Sequence, residues 1–93
     1  DLHVLEGARQ SFAEERIDLV MFEFASGWYS SKRNLLEVVE FLTLFPDYQL
    51  YRLFNGFLAP FQWSPTLEAR ALGSMFVIKH KDLRLPTRSE YNF

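Results

Sequence analysis

An acid stands alone in a strongly apolar stretch in the first third of the chain. Six of the eight residues 17–24 are apolar, yet Glu23 lies among them with no basic residue within six positions on either side. A buried carboxylate is costly unless it is paired, hydrogen-bonded or bound to a metal. Glu23 therefore indicates either a catalytic or ligand-binding acid, or a structural anchor that accepts backbone N–H groups or pairs with an arginine such as Arg52.

A second source of chemistry is a group of aromatic residues that follow apolar segments. Its members are Trp28, Tyr29, Phe57, Phe61 and Trp63. Aromatic rings can form the walls of a ligand pocket, and they also dominate the packing of protein cores. For the rings between residues 55 and 72, the composition favours packing over recognition.

Several other chemistries find no support in the residues. The four glycines form neither a dinucleotide-binding nor a Walker pattern, and no serine lies in a GxSxG turn. The absence of cysteine excludes disulfides, thiolate metal sites and thiol catalysis. The two histidines, His3 and His80, lie outside any cluster with ligand spacing, so the sequence predicts ordinary surface or edge histidines and no metal site.

Charge and hydropathy limit the partners and the location. The net charge is −2, and although residues 70–93 carry five bases against two acids, a short basic tail is more typical of a solvated surface than of a nucleic-acid arm. No apolar run is long enough to span a bilayer, and the start lacks a signal-peptide pattern. We expect no nucleic-acid partner, no membrane span and a cytoplasmic location.

Two helical patterns and two apolar strands must position these residues. Apolar spacing predicts a helix from Leu2 to about Arg16, and both faces of the strand over 17–24 are apolar, which indicates a sheet covered by helices on both sides. A second helix begins after Ser30 or Ser31 as N-cap and stops at Pro46. With a strand at Tyr48–Phe54 this order forms a βαβ unit, so the fold class is α/β.

The remaining third of the chain is more irregular. An Asn-Gly turn opens a long aromatic loop, and Ser64 before Pro65 predicts a short helix over 66–72 that ends at Gly73. Residues 74–79 form a third apolar strand, and 81–93 form a peripheral tail. The 93 residues fit one small domain or part of one, and because the chain starts without methionine in a helical pattern, we expect it to belong to a longer protein.

Four stretches of the sequence read LHVLEGARQSF, RIDLVMFEF, YQLYRLF and MFVIKH. Together they resemble the C-terminal half of the FkbM-type, S-adenosylmethionine-dependent methyltransferases. In that family a strand ending in Asp-Val-Glu-Gly is followed by an acid and the pattern Val-Leu-x-Gly-Ala. The matching residues here are Asp1, Val4, Leu5, Gly7 and Ala8.

Later residues continue the resemblance down to about His80. Glu23 corresponds to the glutamate that ends the family's next strand, and Tyr48, Leu50 and Leu53 correspond to its Tyr-x-Leu-x-x-Leu strand. The resemblance implies a class I, Rossmann-like methyltransferase sheet ordered 3-2-1-4-5-7-6. Residues 17–24 are then strand 5, Tyr48–Phe54 is strand 6, and 74–79 is strand 7, antiparallel and inserted between them.

The same resemblance implies an O-methyltransferase that acts on a hydroxyl of a small molecule, sugar or glycolipid. Glu23 is its candidate for acceptor contact, base or support, and the five aromatic residues are candidate walls of the acceptor pocket. Strands 1 to 4 and their cofactor-binding turn are missing, so this chain alone is not expected to bind S-adenosylmethionine. The missing strand 4 leaves an open edge on strand 5, which favours a homodimer. The alternative is a protein-interaction module without catalytic activity.

Overall fold

The computed structural model of the chain describes residues 2–30 and 32–85, without the side chains of residues 2–4 and 30. Five helices are described, and they are α1 Leu2–Gly7, α2 Arg9–Ala13, α3 Gly27–Ser30, α4 Leu35–Leu42 and α5 Pro65–Ala71. Four strands are described, and they are β1 Leu19–Phe24, β2 Tyr48–Phe54, β3 Phe57–Pro60 and β4 Ser74–His80. None of these helices is long and apolar enough to cross a membrane.

The four strands form one sheet in the order β1-β4-β2-β3, and every neighbouring pair is antiparallel. The last strand along the chain thus lies between β1 and β2, with Phe76 opposite both Phe22 and Arg52. Because β1 and β2 are each antiparallel to β4, they run in the same direction, and their carboxyl ends lie at the same edge of the sheet. The α/β class is confirmed, with a four-stranded antiparallel sheet and helices.

A tight hairpin joins β2 to β3, where the sequence predicted only a loop. Asn55 and Gly56 have φ angles of 43° and 84°, the pair of positive values that a two-residue hairpin turn of the common primed type requires. The turn directs residues 57–60 back along β2, with Leu53 opposite Leu58. The expectation of an irregular loop directly after the turn was therefore wrong. Pro60 fits this position because it ends an edge strand.

The two faces of the sheet differ in their cover, which corrects the expectation for β1. Phe22 and Phe24 lie in the core, whereas Leu19 and Met21 are 39% and 53% exposed. Glu23 alternates with the buried pair and is exposed as well. Among the described residues the helices pack on one face only, so the prediction of a strand buried on both faces, with a buried acid, was wrong.

The covered face holds the main core, which is rich in aromatic rings. Phe12 of α2 contacts Phe41 of α4 and Tyr48 of β2, with ring centroids 5.5 and 4.9 Å apart. Nearer the centre of the sheet, Phe22 stacks on Phe76 at 5.7 Å. The other face has a smaller cluster made by strand residues alone, namely Tyr51, Leu53, Leu58 and Val77.

Helix boundaries differ from the expected ones at both ends of α4, which stops at Leu42 rather than at Pro46, and within the first predicted helix. The N-cap of α4 is Asn34, whose side chain accepts the N–H of Glu37 while Glu37 accepts the N–H of Asn34, a complete capping box. Ser30 instead belongs to α3, and Ser31 lies outside the described residues. The single helix expected up to Arg16 is divided into α1 and α2, because the chain turns at Ala8 after a glycine that weakens helix.

The described part of the tail, residues 81–85, is irregular, as expected. Its Leu83 carbonyl accepts a hydrogen bond from the Lys79 ammonium at the end of β4. The rest of the predicted tail, residues 86–93, lies outside the described residues.

Candidate functional site

A buried carboxylate does lie near the carboxyl end of β1, but it is Glu68 of α5 and not Glu23. Glu68 is 9% exposed and accepts three hydrogen bonds. The donors are the Tyr29 hydroxyl at 3.0 Å, the Leu35 backbone N–H at 3.0 Å and the Trp63 indole N–H at 2.7 Å. We call these four residues the Glu68 cluster.

The local sequence explains why Glu68 reaches this position. The Ser64 side chain caps α5 by accepting the Leu67 N–H at 3.1 Å, and Pro65 occupies the first helical turn. Glu68 also lies in the first turn of α5, where a negative charge is favoured by the helix dipole. The Ser64 cap predicted from sequence is confirmed.

Glu68 connects three separate segments of the chain. Tyr29 comes from α3, Leu35 is the first residue of α4, and Trp63 precedes α5. Because the Leu35 N–H is one of the donors that a helix start leaves unpaired, the carboxylate also stabilises the beginning of α4. Because its carboxylate already accepts three hydrogen bonds, Glu68 is better suited to hold the neighbouring side chains in place than to act as a free general base.

Tyr29 is the titratable member of the cluster with a perturbed pKa. Partial burial raises the pKa of its hydroxyl, and the hydrogen bond to Glu68 and the charge of Glu68 raise it further. The phenol therefore stays protonated as a donor at neutral pH. Tyr29 as a whole is still 44% exposed, so its ring lies at the protein surface.

The candidate aromatic residues fall into three groups. Tyr29 and Trp63 meet at Glu68, which brings two of the predicted pocket residues together. Trp28 and Phe61 are 7% and 6% exposed and lie in the core, where Trp28 stacks on Phe22 and Phe61 packs edge-on against Phe76. Phe57 is half-buried and begins β3 at the hairpin, near the carboxyl end of β2.

Glu23 lies at the same end of the sheet but projects from the uncovered face. In the described part of the chain its carboxylate makes no hydrogen bond or ion pair, while its backbone carbonyl accepts the Trp28 indole N–H at 3.1 Å. The pairing with Arg52 considered from the sequence is not formed. Arg52 lies on the covered face and donates to the Ser74 hydroxyl at 2.9 and 3.2 Å.

Sequence reasoning missed Glu68 and a second polar cluster at the opposite end of the sheet, where β1 and β2 begin. That cluster consists of Glu15, Asp47 and His80, which could hold a metal ion. These residues are separated by more than 30 positions from one to the next, so no ligand spacing could indicate them. Glu68 was hidden for another reason, because an acid in the first turn of a helix is an ordinary surface feature.

Comparisons with known proteins add no family assignment. No family model, no curated protein and no solved structure matches the chain.

Proposed function

We propose that this chain is the C-terminal portion of an S-adenosylmethionine-dependent O-methyltransferase of FkbM type. Its acceptor is a hydroxyl of a small molecule, sugar or glycolipid. The observation that supports the proposal best is the strand order, with the reversed strand β4 between β1 and β2, which run in the same direction. That is the relation the resemblance implies for strands 5, 7 and 6.

The position of the candidate residues also supports this function. In open α/β sheets, ligands bind outside the carboxyl ends of strands that run in the same direction. Here β1 ends at Phe24 beside Glu23, and β2 ends at Phe54 beside the hairpin that carries Phe57. A surface at this edge has an acid on one face and the aromatic residues of the Glu68 cluster on the other.

Methyl transfer to a hydroxyl is an in-line displacement that depends mainly on alignment of the acceptor oxygen with the methyl group. The acceptor's proton must also leave, and a positioned carboxylate can accept it. Because the Glu23 carboxylate is exposed and has no partner among the described residues, it is available for that role. Tyr29 and Trp63, held by Glu68, supply aromatic surface near the same end of β1.

The cofactor is S-adenosylmethionine, and it supplies the methyl group as a sulfonium. The proposal assigns its binding to an upstream segment that carries strands 1 to 4. We therefore expect a longer protein with that segment to bind the cofactor, and the 93-residue chain to bind none, when both are measured by calorimetry.

The role of Glu23 is tested in the longer protein by Glu23→Gln, with Glu40→Gln on the exposed side of α4 as matched control. We expect the Glu23 variant to lose turnover with cofactor affinity unchanged, and the control to keep both. Normal turnover of Glu23→Gln removes Glu23 from the reaction. Failure of the longer protein to bind the cofactor contradicts the proposed function as a whole.

The second candidate is a protein-interaction module without catalytic activity. The observation that favours it is the exposed apolar surface of β1, where Leu19 and Met21 are 39% and 53% exposed. The reading frame upstream of residue 1 separates the two candidates. A continuation into a glycine-containing strand turn with an acid supports the methyltransferase, whereas a start codon directly before Asp1 supports the module.

A further inference from the structure

We propose that Glu15, Asp47 and His80 form a binding site for a divalent transition-metal ion such as Zn²⁺. One carboxylate oxygen of each acid and one ring nitrogen of His80 lie within 4.8 Å of one another. Ligands bonded to such an ion at about 2.1 Å lie roughly 3 to 3.5 Å apart, so only small side-chain movements are needed. The site lies at the amino ends of β1 and β2, away from the Glu68 cluster, and does not depend on the proposed methyltransferase function.

The backbone holds two of the three ligands firmly. The His80 N–H donates to the Asp18 carbonyl at 2.9 Å, and the Lys81 N–H donates to the Asp47 carbonyl at 2.8 Å. The His80 ring is mostly buried, and it packs edge-on against Tyr48 with centroids 5.1 Å apart. A site whose ligands are fixed before binding loses less entropy when the ion arrives.

Glu15 provides the movable third ligand from a strained position. It follows α2 with a φ angle of 55°, a region that favours glycine or asparagine over glutamate. Its Oε1 atom lies 2.7 Å from the His80 Nε2 atom, and its side chain is 51% exposed. The carboxylate can therefore shift by the small distance that an ion between it and His80 requires.

Glu15 and Asp47 place two carboxylates close together, and the cation beside them is the Lys81 ammonium. The Lys81 ammonium lies 2.8 Å from the Asp47 Oδ1 atom and forms an ion pair with it. The Lys81 side chain is 61% exposed, so it can move aside. A divalent ion can replace it as the positive charge between the acids.

His80 has a second partner that suits a metal ligand. Its Nδ1 atom accepts the Asp82 N–H at 3.1 Å, so the neutral ring carries its proton on Nε2. Binding an ion at Nε2 requires the ring proton on Nδ1, which gives up the hydrogen bond from the Asp82 N–H. The Asp82 Oδ2 atom, 3.8 Å from Nδ1, can accept the new Nδ1–H once the side chain turns toward it. Carboxylates commonly orient metal-bound histidines in this way. The Asp82 side chain is 80% exposed and free to turn toward the ring.

The ligand set favours a transition metal over magnesium. Imidazole with two carboxylates suits Zn²⁺ and Co²⁺, whereas Mg²⁺ prefers oxygen ligands only. A cavity of about 250 Å³ lies beside the site and is lined by Glu15 and Asp47 together with Phe12, Phe45 and Tyr48. It leaves room for water to complete the coordination shell.

The test is calorimetric titration of the 93-residue chain with Zn²⁺, with Co²⁺ absorption as a report of coordination. We expect one ion per chain, with binding weakened at least tenfold by Asp47→Asn or Glu15→Gln. Asp82→Ala should weaken binding about tenfold through the lost ring partner. Lys81→Met should strengthen it, because a competing cation is removed. Glu40→Gln on the exposed side of α4 is the control and should leave the affinity unchanged.

The proposal is overturned if no saturable binding occurs below 1 mM Zn²⁺, a limit set at about 4 kcal/mol of binding free energy. It is also overturned if Asp47→Asn and Glu15→Gln both bind like the parent, or if Mg²⁺ binds as tightly as Zn²⁺. His80→Ala is informative when circular dichroism shows that it folds. If His80→Ala does not fold, the variants Asp47→Asn and Glu15→Gln decide the question.

Discussion

At the scale of single residues, Glu68 shows how one carboxylate can organise a surface. Its hydrogen bonds to Tyr29, Leu35 and Trp63 satisfy a hydroxyl, a backbone N–H and an indole that the fold brings together. Hydrogen bonds to a charged acceptor contribute more than neutral ones, and a buried donor that loses its partner is costly. Glu68 is therefore the polar residue on which we expect this end of the fold to depend most.

We expect Glu68→Gln to lower the free energy of unfolding by about 1 to 3 kcal/mol, because an amide presents one oxygen and a competing NH₂ group to three donors. Urea denaturation followed by circular dichroism measures the change. Glu40→Gln on the exposed side of α4 should stay within about 0.5 kcal/mol of the parent. A Glu68 variant as stable as this control contradicts the anchoring role.

The raised pKa of Tyr29 predicts a loss of stability at alkaline pH. The unfolded chain releases the phenol proton near pH 10, whereas the folded chain keeps it to a higher pH because of partial burial and Glu68. The stabilisation is therefore complete below pH 10 and is lost as the pH rises through the folded pKa. Urea denaturation at pH 7 and pH 10.5 should show a smaller difference for Tyr29→Phe than for the parent. Equal differences contradict the shift.

The sequence indicated the region of the candidate site but not its polar centre. Tyr29 and Trp63 were chosen as aromatic residues beside apolar segments, and both donate hydrogen bonds to Glu68. Glu23 was chosen because its neighbours are apolar, but apolar neighbours do not bury a residue when the helices cover only one face of the sheet. Which of two apolar faces is covered depends on contacts between distant segments, and local periodicity does not contain that information.

At the scale of elements, α4 begins with the best-defined cap in the described chain. Asn34 accepts the Glu37 N–H at 3.1 Å, and Arg33 pairs with the Glu37 carboxylate at 2.9 Å. Short helices depend on their ends, since each end leaves several backbone groups unpaired. The cap thus fixes where α4 starts and which face it turns toward β2.

We expect Asn34→Ala to lower the free energy of unfolding by about 0.5 to 2 kcal/mol, because the Glu37 N–H loses its side-chain acceptor. Asn34→Asp is the matched control, since aspartate caps a helix about as well as asparagine. Urea denaturation of the three proteins measures both changes. If the alanine and aspartate variants are equally stable, the cap does not contribute.

Element prediction succeeded for segments with a long apolar run or a helix-start signal, and it missed β3 and the break at Ala8. The strands β1, β2 and β4 and the helix α5 follow from apolar runs and from the Ser64-Pro65 start. Strand β3 was missed because its four residues end in a proline, although the Asn-Gly turn before it is a strong hairpin signal. The break at Ala8 was also missed, because the apolar spacing continues through it.

At the scale of the whole molecule, the sheet has two unlike edges. The edge strand β3 is short and ends in Pro60, which discourages further strand pairing. The opposite edge strand, β1, is six residues long and pairs on one side only among the described residues. Because Leu19 and Met21 are exposed beside that edge, β1 is the surface most suited to association.

We expect the 93-residue chain to self-associate through β1 and Met21→Lys to prevent it, since a charge beside an open edge opposes strand pairing. Sedimentation at several protein concentrations gives the association state. Leu44→Lys replaces another exposed apolar residue, after α4, and should leave association unchanged. A parent chain that stays monomeric at high concentration contradicts this expectation.

The central position of β4 has a consequence for the chain during its synthesis, because β1 cannot pair within the sheet until β4 is available. A ribosome releases β1 and β2 well before β4, yet β4 is the strand that pairs with both. A nascent chain that ends at Gly73 can form the hairpin of β2 and β3 but has no partner for β1. We expect such a truncated chain to be digested rapidly by protease, and a chain that reaches residue 85 to resist. The strand that comes last along the chain is thus the one that joins β1 to the β2–β3 hairpin.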